Sequence, residues 1–528
     1  MTIKYLKSKY IFDVDTKTTF AGVIVIENQK ITAILDEMPI GVATSSIVDY
    51  TNQMLIPGFI DPHQHLNKAV LFNAGIMNFV NGASVAEVTS KLAQLQAYHG
   101  WKIASGFYPS EFGNIPTPTK ADIALVEPTN PAVLLSGDGH TAWLNSAALA
   151  HIHVDDADAQ QFGGTAYKSG NDFTGFFEEG IAVHVVAQVF AAMNIERPQL
   201  YLNYVKYMNS MGITGLADMA STGASDDDFI YEDVHAMIAN DVTARISIFP
   251  AMQMKHTRIN KIKQMFADND RIILGGGKQF YDGVTSTQTA YLKAPYPESE
   301  EHCGAPLLPN EMLHDLIFKA NQIGLPIRVH AIGDQAVQNT LIYFAAANAK
   351  YPLPAGKVNT IEHLEVFDPT DINLIRDTKA IVSVQPSHAL IDYDTLDAEV
   401  GFERSQNMFP TKDFLDAGAT LAFGTDAPVV LDTTPLQSIF NATTRRTLAN
   451  QADDSFRPTQ AIDVANALVA HTLNAAKAIQ RNDVGAIKVG NYADLAVLDT
   501  NILAIPATEL LDVKVVATFF NGELVFKN

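Results

Sequence analysis

The sequence predicts an α/β fold in which a helix-covered parallel sheet is joined to a small β domain drawn from both ends of the chain. The middle of the chain alternates short apolar strands with longer helical stretches, a pattern typical of βαβ units. Residues 1–56 and 481–528 instead have the alternation and β-branched content of strands joined by short turns. Near the C-terminus, Asn521-Gly522 separates two such strands and predicts a two-residue hairpin turn.

The composition is that of a folded, acidic protein. Of the 528 residues, 47% are hydrophobic and 18% are charged, so intrinsic disorder is excluded. The chain has 36 Lys and Arg residues against 58 Asp and Glu residues, and 36 − 58 = −22 is its formal net charge at pH 7. Nucleic acids and anionic membranes attract basic surfaces, so we expect neither as a partner.

The chain contains one cysteine and fifteen histidines. A single cysteine excludes an intrachain disulfide and a cysteine-rich zinc site, so any bound metal must be held by histidine and carboxylate side chains. The N-terminus lacks the apolar segment of a signal peptide. No apolar stretch reaches the ~18–20 residues that cross a bilayer, and we therefore expect a cytoplasmic protein.

Nine segments of the middle region have the pattern of short buried strands. They cover residues 55–60, 132–136, 213–218, 245–249, 278–282, 326–330, 359–363, 380–384 and 420–424. A closed barrel needs eight strands, so we expect one of the two segments near 245 and 278 to be partial or extra. The middle domain is expected to span residues 57–480, with insertions near 66–130 and 150–210 that shape a substrate pocket.

Side chains that can bind a metal recur where these strands end. His63 and His65 follow the first strand, and on an extended backbone both imidazoles turn to one face. His330, His363 and Asp426 end three later strands. Since the carboxyl ends of barrel strands converge on one mouth, we expect these side chains to meet there and to suit zinc, iron or manganese. Taken singly, each histidine could instead be a solvated or capping residue.

Three further charged residues belong to these strands. Lys278 would be repelled by divalent ions at the barrel mouth unless its charge is reversed, as in a carbamate formed with CO2. The alternative is a surface lysine, which residue type alone favours because most lysines are exposed. Glu362 faces the opposite side of its strand from its neighbour His363, which indicates a supporting or structural role. Arg328 could pair with a buried carboxylate.

Five segments, in order along the chain, resemble the amidohydrolase superfamily. They are PGFIDPHQH at 57–65, VHAIGD at 329–334, IEHLE at 361–365, GTDAPV at 424–429 and GAIKVGNYADLAVLD at 485–499. A narrower resemblance, to the YtcJ-like branch that includes N-substituted formamide deformylases, rests on residues 138–149, KQFYDG at 278–283 and QPSH at 385–388. The resemblance implies a distorted (β/α)8 TIM barrel with insertions, flanked by a small β-sandwich made by both termini.

The resemblance also implies roles for the histidines and the aspartate. His63 and His65 would bind a buried metal, while His330 and His363 would bind a second metal or complete a single site. Asp426 would ligate the first metal and act as the general base. The implied cofactor is one or two divalent metals per chain, with zinc first and iron or manganese as alternatives.

The sequence offers two candidates for a ligand that would bridge two metals. Lys278 falls on the strand where many superfamily members carry a carboxylated lysine. Glu178 lies in another segment that resembles the branch and is the rival for this role. Tentative substrate contacts are His140, Tyr281 and His388.

The implied chemistry is hydrolysis of a non-peptide C–N bond in a small molecule: an amide, a formamide or a cyclic amide. Water activated by the metal would attack the carbonyl carbon, with Asp426 accepting and then returning a proton. A lyase, decarboxylase or isomerase acting through the same site is the alternative, followed by a non-catalytic binding protein. A homo-oligomer is compatible with the sequence.

Overall fold

The computed structural model describes all residues except 1–2, 114, 138–140, 221–231, 253–255, 298, 392, 431–432 and 452–454. The strands are β1 Ile3–Asp13, β2 Thr18–Glu27, β3 Lys30–Leu35, β4 Ile47–Asp49, β5 Met54–Pro57, β6 Phe59–Gln64, β7 Met77–Phe79, β8 Lys102–Phe107, β9 Ala132–Ser136, β10 Thr141–Leu144, β11 Thr165–Ser169, β12 Asp172–Glu178, β13 Ile213–Met219, β14 Arg245–Phe249, β15 Ile272–Leu274, β16 Gly277–Phe280, β17 Ile327–Ala331, β18 Thr360–His363, β19 Ile381–Val384, β20 Thr420–Phe423, β21 Leu495–Leu498, β22 Val515–Phe520 and β23 Glu523–Lys527.

The helices are interspersed with these strands. They are α1 Leu66–Asn73, α2 Val85–Gln94, α3 Lys120–Ala124, α4 Ser146–Leu149, α5 Asp156–Phe162, α6 Gly180–Ala192, α7 Arg197–Ser210, α8 Glu232–Ile238, α9 His256–Met265, α10 Asn310–Gln322, α11 Asp334–Lys350, α12 Ile372–Thr378, α13 Leu396–Val400, α14 Phe402–Ser405, α15 Thr411–Asp416, α16 Pro435–Thr444, α17 Val464–Ala470 and α18 Leu473–Ala478. Short 3-10 helices cover Thr44–Ser46, Pro109–Phe112, Pro369–Asp371, His388–Leu390, Pro458–Gln460 and Ala507–Asp512.

Both ends of the chain contribute to one mixed sheet. Its described strands run in the order β23-β22-β21-β5-β1-β2-β3, and β4 pairs with β1. The predicted hairpin turn between β22 and β23 is confirmed, because Asn521 and Gly522 both have positive φ angles, 54° and 73°. β5 pairs with β1 on one side and with β21 on the other, and so ties the N-terminal strands to the C-terminal ones.

Two parallel sheets are built from the middle of the chain. Within the described residues their strand orders are β15-β14-β13-β6 and β16-β17-β18-β19-β20. Backbone bridges link the two sheets at two places, between Gln64 of β6 and Ala427 beyond β20, and between Ala251 beyond β14 and Lys278 of β16. Since the neighbouring strands are all parallel, their carboxyl ends lie at the same end of the sheets.

Residues 65–212 separate β6 from β13 and contain a further sheet, with the order β11-β12-β10-β9-β8-β7. β9 belongs to this inserted sheet, so the prediction that residues 132–136 form a barrel strand is wrong. β14 and β16 are both part of the parallel sheets, which together contain nine described strands where a closed barrel needs eight, so the expectation of one partial or extra strand near 245 or 278 stays a prediction. A buried strand of an inserted sheet is as apolar as a barrel strand, so the local pattern does not separate the two.

The main hydrophobic core lies between the parallel strands and the helices packed on them. Val329 of β17 and Ile361 of β18 are fully buried there, together with Val337 and Leu341 of α11. In the part of the chain that the structure describes, no helix combines the length and the apolar character needed to span a membrane.

Candidate metal centre

The predicted ligands lie at the carboxyl ends of the parallel strands. His63 is the second-last residue of β6, and His65 directly precedes α1. His330 lies near the end of β17, and His363 is the last residue of β18. Asp426 comes shortly after β20. Parallel alignment therefore brings residues that are more than 300 positions apart in the sequence to one place.

His63, His65 and Asp426 form a first group of donor atoms. Nε2 of His63 lies 3.4 Å from Oδ1 of Asp426, and Nε2 of His65 lies 3.2 Å from the same oxygen. The backbone N–H of Asp426 donates to the carbonyl of His63 at 2.8 Å, which fixes the two strand ends against each other. Oδ1 of Asp426 is buried and makes no hydrogen bond to any described residue. Two imidazoles facing an unsatisfied carboxylate oxygen fit a divalent cation.

A second donor group consists of His363, His388 and Asp426, so that both groups share the aspartate. Nε2 of His388 lies 3.7 Å from Oδ2 of Asp426. The His330 ring lies beside this group, with its centroid 4.4 Å from that of His363. Nε2 of His330 lies 3.3 Å from the carbonyl oxygen of Gly283. The structure thus brings all five predicted strand-end ligands together and adds His388.

Lys278 lies in the same place. Its Nζ is 3.4 Å from Nε2 of His63, and the residue is only 1% exposed. The expectation from residue type alone, a solvated surface lysine, is therefore wrong. Burial lowers the pKa of the Lys278 ammonium to about 8, against the opposing effect of Glu362 and Asp426. We call the whole set the polar cluster: His63, His65, Lys278, His330, His363, His388 and Asp426.

Burial keeps three imidazoles of the polar cluster, those of His63, His330 and His363, in the neutral form. It lowers the pKa of His63 to about 4 and that of His330 to about 3. Burial and the neighbouring His330 also hold the pKa of His363 well below its usual value. Although burial opposes ionisation of Asp426, the surrounding histidines hold its pKa well below the usual range. Neutral imidazole and ionised carboxylate are the forms that bind metals.

Two of these residues have unusual backbone conformations. His363 has a φ of 76° and Asp426 a φ of 60°, in the left-handed region that non-glycine residues rarely adopt. Both lie where a strand passes into a loop. Such conformations cost of order 1–3 kcal/mol and persist where the surrounding structure imposes them, commonly at functional sites.

Tyr281, a tentative substrate contact, is not part of the polar cluster. It is fully buried in the main hydrophobic core. Its hydroxyl donates to Asn310 and accepts from the side chain of Asn339, both at 2.8 Å. Tyr281 lies an odd number of residues after Lys278, and on an extended backbone such residues point to opposite faces of the sheet.

Glu178, the rival bridging ligand, ends β12 of the inserted sheet. Its carboxylate accepts a hydrogen bond of 2.9 Å from Tyr167 and contributes to neither donor group. His140, another tentative substrate contact, lies outside the described residues. Of the two tentative substrate contacts among the described residues, His388 lies in the polar cluster and Tyr281 does not.

Two supporting residues of the polar cluster were not predicted from the sequence. Oε1 of Gln385 lies 2.9 Å from Nδ1 of His363. Oε1 of Glu365 lies 3.5 Å from Nδ1 of His388. Against the effect of burial, this contact with Glu365 raises the pKa of His388. Glu365 belongs to the segment IEHLE and Gln385 to the segment QPSH. These segments indicated that the two residues lie near the site, but not which histidine each of them contacts.

Comparisons with known proteins find similarity over most of the chain. The amidohydrolase family matches residues 46–526. The chain is 27% identical to protein LONG AFTER FAR-RED 3 of Arabidopsis thaliana, over 98% of this chain and 90% of that protein. It is 25% identical to the putative amidohydrolase YtcJ of Bacillus subtilis, over 91% and 90%. It is 22% identical to the N-substituted formamide deformylase of Arthrobacter pascens, over 97% and 96%.

Solved structures share the fold. An uncharacterized metal-dependent hydrolase from Pyrococcus horikoshii superposes with a TM-score of 0.71 at 20% identity, over 96% of this chain and 99% of that one. Atrazine chlorohydrolase from Arthrobacter aurescens, complexed with zinc, gives a TM-score of 0.53 at 14% identity, over 99% and 95%. These neighbours imply a TIM-barrel-like α/β architecture. With the family match over most of its length, the chain belongs to the amidohydrolase family, in the branch of YtcJ and the N-substituted formamide deformylase.

Proposed function

We propose that this metal-dependent hydrolase cleaves a non-peptide C–N bond of a small molecule, in an amide, a formamide or a cyclic amide. The observation that carries the proposal is the pair of largely buried donor groups that share Asp426. Similarity to a formamide deformylase supports the type of bond. A lyase or isomerase that uses the same residues is the alternative.

The proposed cofactor is a divalent metal, with zinc first and iron or manganese as alternatives. His63, His65 and Asp426 would hold one ion. His330 and His363 would hold a second ion or complete a single site. Once bound, the metal supplies Lewis acidity that activates water and polarises the scissile carbonyl.

Asp426 is the proposed general base and acid. Its ionised carboxylate accepts the proton of the attacking water and then passes that proton to the leaving nitrogen. Nε2 of His388 lies 3.7 Å from the carboxylate and makes no hydrogen bond to a described residue. With Nδ1 directed to Glu365, this nitrogen is available to donate to a polar group of the substrate.

Lys278 is the proposed bridging ligand, as a carbamate. Burial lowers the pKa of Lys278 to about 8, which favours the neutral amine that reacts with CO2. The ammonium first loses one proton. The neutral amine then adds to CO2, forming an N–C bond and releasing a second proton, so that over both steps a cation becomes an anion. The position of Nζ beside His63 supports Lys278, whereas Glu178 is engaged with Tyr167 in the inserted sheet.

The proposed architecture follows the resemblance. The two parallel sheets would form one distorted (β/α)8 barrel over residues 57–480, and the two backbone bridges between the sheets support this closure. The terminal strands would form a small β-sandwich from residues 1–56 and 481–528. The region between β6 and β13 would be the main insertion.

The substrate is proposed to carry an apolar group beside the bond that is cleaved. Three exposed apolar residues lie within a few positions in the sequence of residues that belong to or contact the polar cluster. We call them the apolar rim: Val284, Ile391 and Val429. The N–H of Val429 donates to the carbonyl of Asp426 at 2.8 Å, and that of Ile391 to the carbonyl of His388 at 3.3 Å. Val284 follows the glycine whose carbonyl contacts His330.

Hydroxamates test the apolar rim, because they chelate active-site metals with one common head group. Val429→Asp should weaken inhibition by benzohydroxamate about tenfold, as expected for losing a few tens of Å² of apolar contact, and leave acetohydroxamate nearly unchanged. Val489→Asp is the matched control, since Val489 is 62% exposed and Val429 64%. Equal weakening of both hydroxamates, or of both variants, would contradict an apolar rim.

The proposed reaction is tested by metal analysis and product analysis. Purified enzyme should contain one or two divalent ions per chain. It should release amine from members of a panel of N-substituted formamides and cyclic amides. Asp426→Asn should retain metal and lose turnover by about 10²–10⁴-fold, the usual contribution of a positioned acid or base. Asp416→Asn is the control and should keep parental activity, because the Asp416 side chain at the end of α15 is 60% exposed.

The outcomes separate the alternatives. Release of CO2 without amine would identify a lyase. Parental turnover in Asp426→Asn would refute the assigned role of Asp426, and protein without metal after purification and reconstitution would refute the proposed function.

A further inference from the structure

A buried chain of contacts runs from His63 away from the polar cluster. Oε2 of Glu362 lies 2.6 Å from Nδ1 of His63. Nε of Arg328 donates to Oε1 of Glu362 at 2.6 Å, and Nη2 of Arg328 lies 2.6 Å from the same oxygen. The side chains of all three residues are 0% exposed.

Glu362 determines which nitrogen of His63 carries the proton. An ionised carboxylate only accepts hydrogen bonds, so Nδ1 of His63 must be the donor. Two guanidinium nitrogens of Arg328, a permanent cation, lie 2.6 Å from Oε1 of Glu362, and this contact favours the ionised carboxylate. In a neutral imidazole the lone pair is then on Nε2. This is the nitrogen that lies 3.4 Å from Oδ1 of Asp426.

A second potential partner of Nδ1 is weaker. Nε2 of Gln385 lies 3.4 Å from Nδ1 of His63, and as an amide donor it would favour the opposite tautomer. The contact of 2.6 Å with an anion is shorter and charge-assisted, so it prevails. Oε1 of Gln385 is already engaged by Nδ1 of His363.

We propose that Glu362, held in place by Arg328, is a positioning residue that orients His63 and makes Nε2 its metal-binding nitrogen. The inference rests on the proposed metal site and extends it beyond the ligands themselves. Carboxylates that hydrogen-bond to metal-bound histidines fix the ring and make it more basic, and their loss lowers metal affinity by about 10- to 100-fold.

The competing explanation is a buried ion pair that serves the fold alone. Asp494 and Arg245 offer a matched pair for this comparison. Nε of Arg245 donates to Oδ2 of Asp494 at 2.8 Å, and Nη2 donates to Oδ1 at 3.2 Å. Both residues are buried, and Asp494 lies close to the terminal sheet, away from the polar cluster.

The experiment compares zinc affinity with stability. Metal-free parent, Glu362→Gln and Asp494→Asn are titrated with Zn²⁺ against a chromophoric chelator, and their thermal unfolding is followed without metal. Both variants should be less stable than the parent, but only Glu362→Gln should bind zinc about 10- to 100-fold more weakly. In that variant the amide oxygen should turn to Arg328 and the NH2 group to His63, which places the imidazole proton on Nε2.

Glu362→Asp is the second variant, to be used if Glu362→Gln does not fold. It keeps the charge next to Arg328 but is one methylene too short for Nδ1 of His63, so zinc affinity should again fall. Parental zinc affinity in either Glu362 variant, or an equal loss in Asp494→Asn, would overturn the inference. If the parent protein binds no zinc, the proposed metal site and this inference are both contradicted. If the parent binds zinc and the Glu362 variants bind it with the same affinity, only this inference is contradicted.

Discussion

Gly424 is the position where adding a single methyl group should disturb the proposed metal site. It directly follows β20 and packs against β6. A Cβ atom at Gly424 would lie 2.8 Å from Cβ of His63 and 3.1 Å from its backbone nitrogen. Carbon atoms in contact are normally about 3.5–4.0 Å apart, so Gly424→Ala must separate the two segments by about 1 Å. The backbone nitrogen cannot turn aside as a flexible side chain would.

A shift of this size exceeds the tolerance of a metal site, where ligand distances are fixed to about 0.2 Å. We expect zinc affinity to fall by at least about tenfold and stability to fall by about 1–3 kcal/mol, as for an overpacked core. Zinc titration against a chelator and urea unfolding of the metal-free protein measure the two effects separately.

Gly418 provides the control at the other end of β20. Its φ is 88°, and a Cβ atom there would meet nothing within 4 Å. Gly418→Ala should therefore cost about 1 kcal/mol or more through backbone strain and leave zinc affinity unchanged. A folded Gly424→Ala protein with parental zinc affinity would refute the reasoning, as would an equal loss in Gly418→Ala.

Two further predictions concern buried titratable groups. His471 lies between Phe59 and Phe423 without a hydrogen bond to either ring nitrogen, and burial lowers its pKa to about 3. Because the folded pKa lies below the unfolded value of 6.5, the unfolded chain binds the extra proton, and stability is lost as pH falls from 6.5 towards 3. In urea unfolding without metal, His471→Phe should reduce the slope of unfolding free energy against pH by up to about 1.4 kcal/mol per unit, and an unchanged slope would contradict this. For Lys278, added bicarbonate should strengthen zinc binding by CO2-depleted parent protein but not by Lys278→Met, and a bicarbonate effect in both would argue against a carbamate.

The convergence of the polar cluster could be predicted because it depends on a general property of parallel strands. His63, His330 and Asp426 each stand near a strand end, and parallel strands place such ends together whatever the intervening sequence does. The burial of Lys278 and the environment of Tyr281 could not be predicted, since residue type and alternation leave open which face of a strand meets the core. The assignment of β9 to the inserted sheet depends on strand pairing, which a local apolar pattern does not encode.

Charge balance links the carbamate to the metal. Among the described residues in or against the polar cluster, the buried cations are Lys278 and Arg328, and Glu362 and Asp426 are buried anions. Three further carboxylates contact the histidines of the cluster: Asp61 accepts from the backbone N–H of His63, Oδ1 of Asp282 lies 3.8 Å from Nε2 of His330, and Oε1 of Glu365 lies 3.5 Å from Nδ1 of His388. Acidic groups therefore outnumber basic ones, and buried charge is costly unless it is compensated. Carboxylation of Lys278 replaces a positive charge by a negative one, and the two units of positive charge that it removes are what one divalent ion supplies. Metal binding and carboxylation should therefore favour each other.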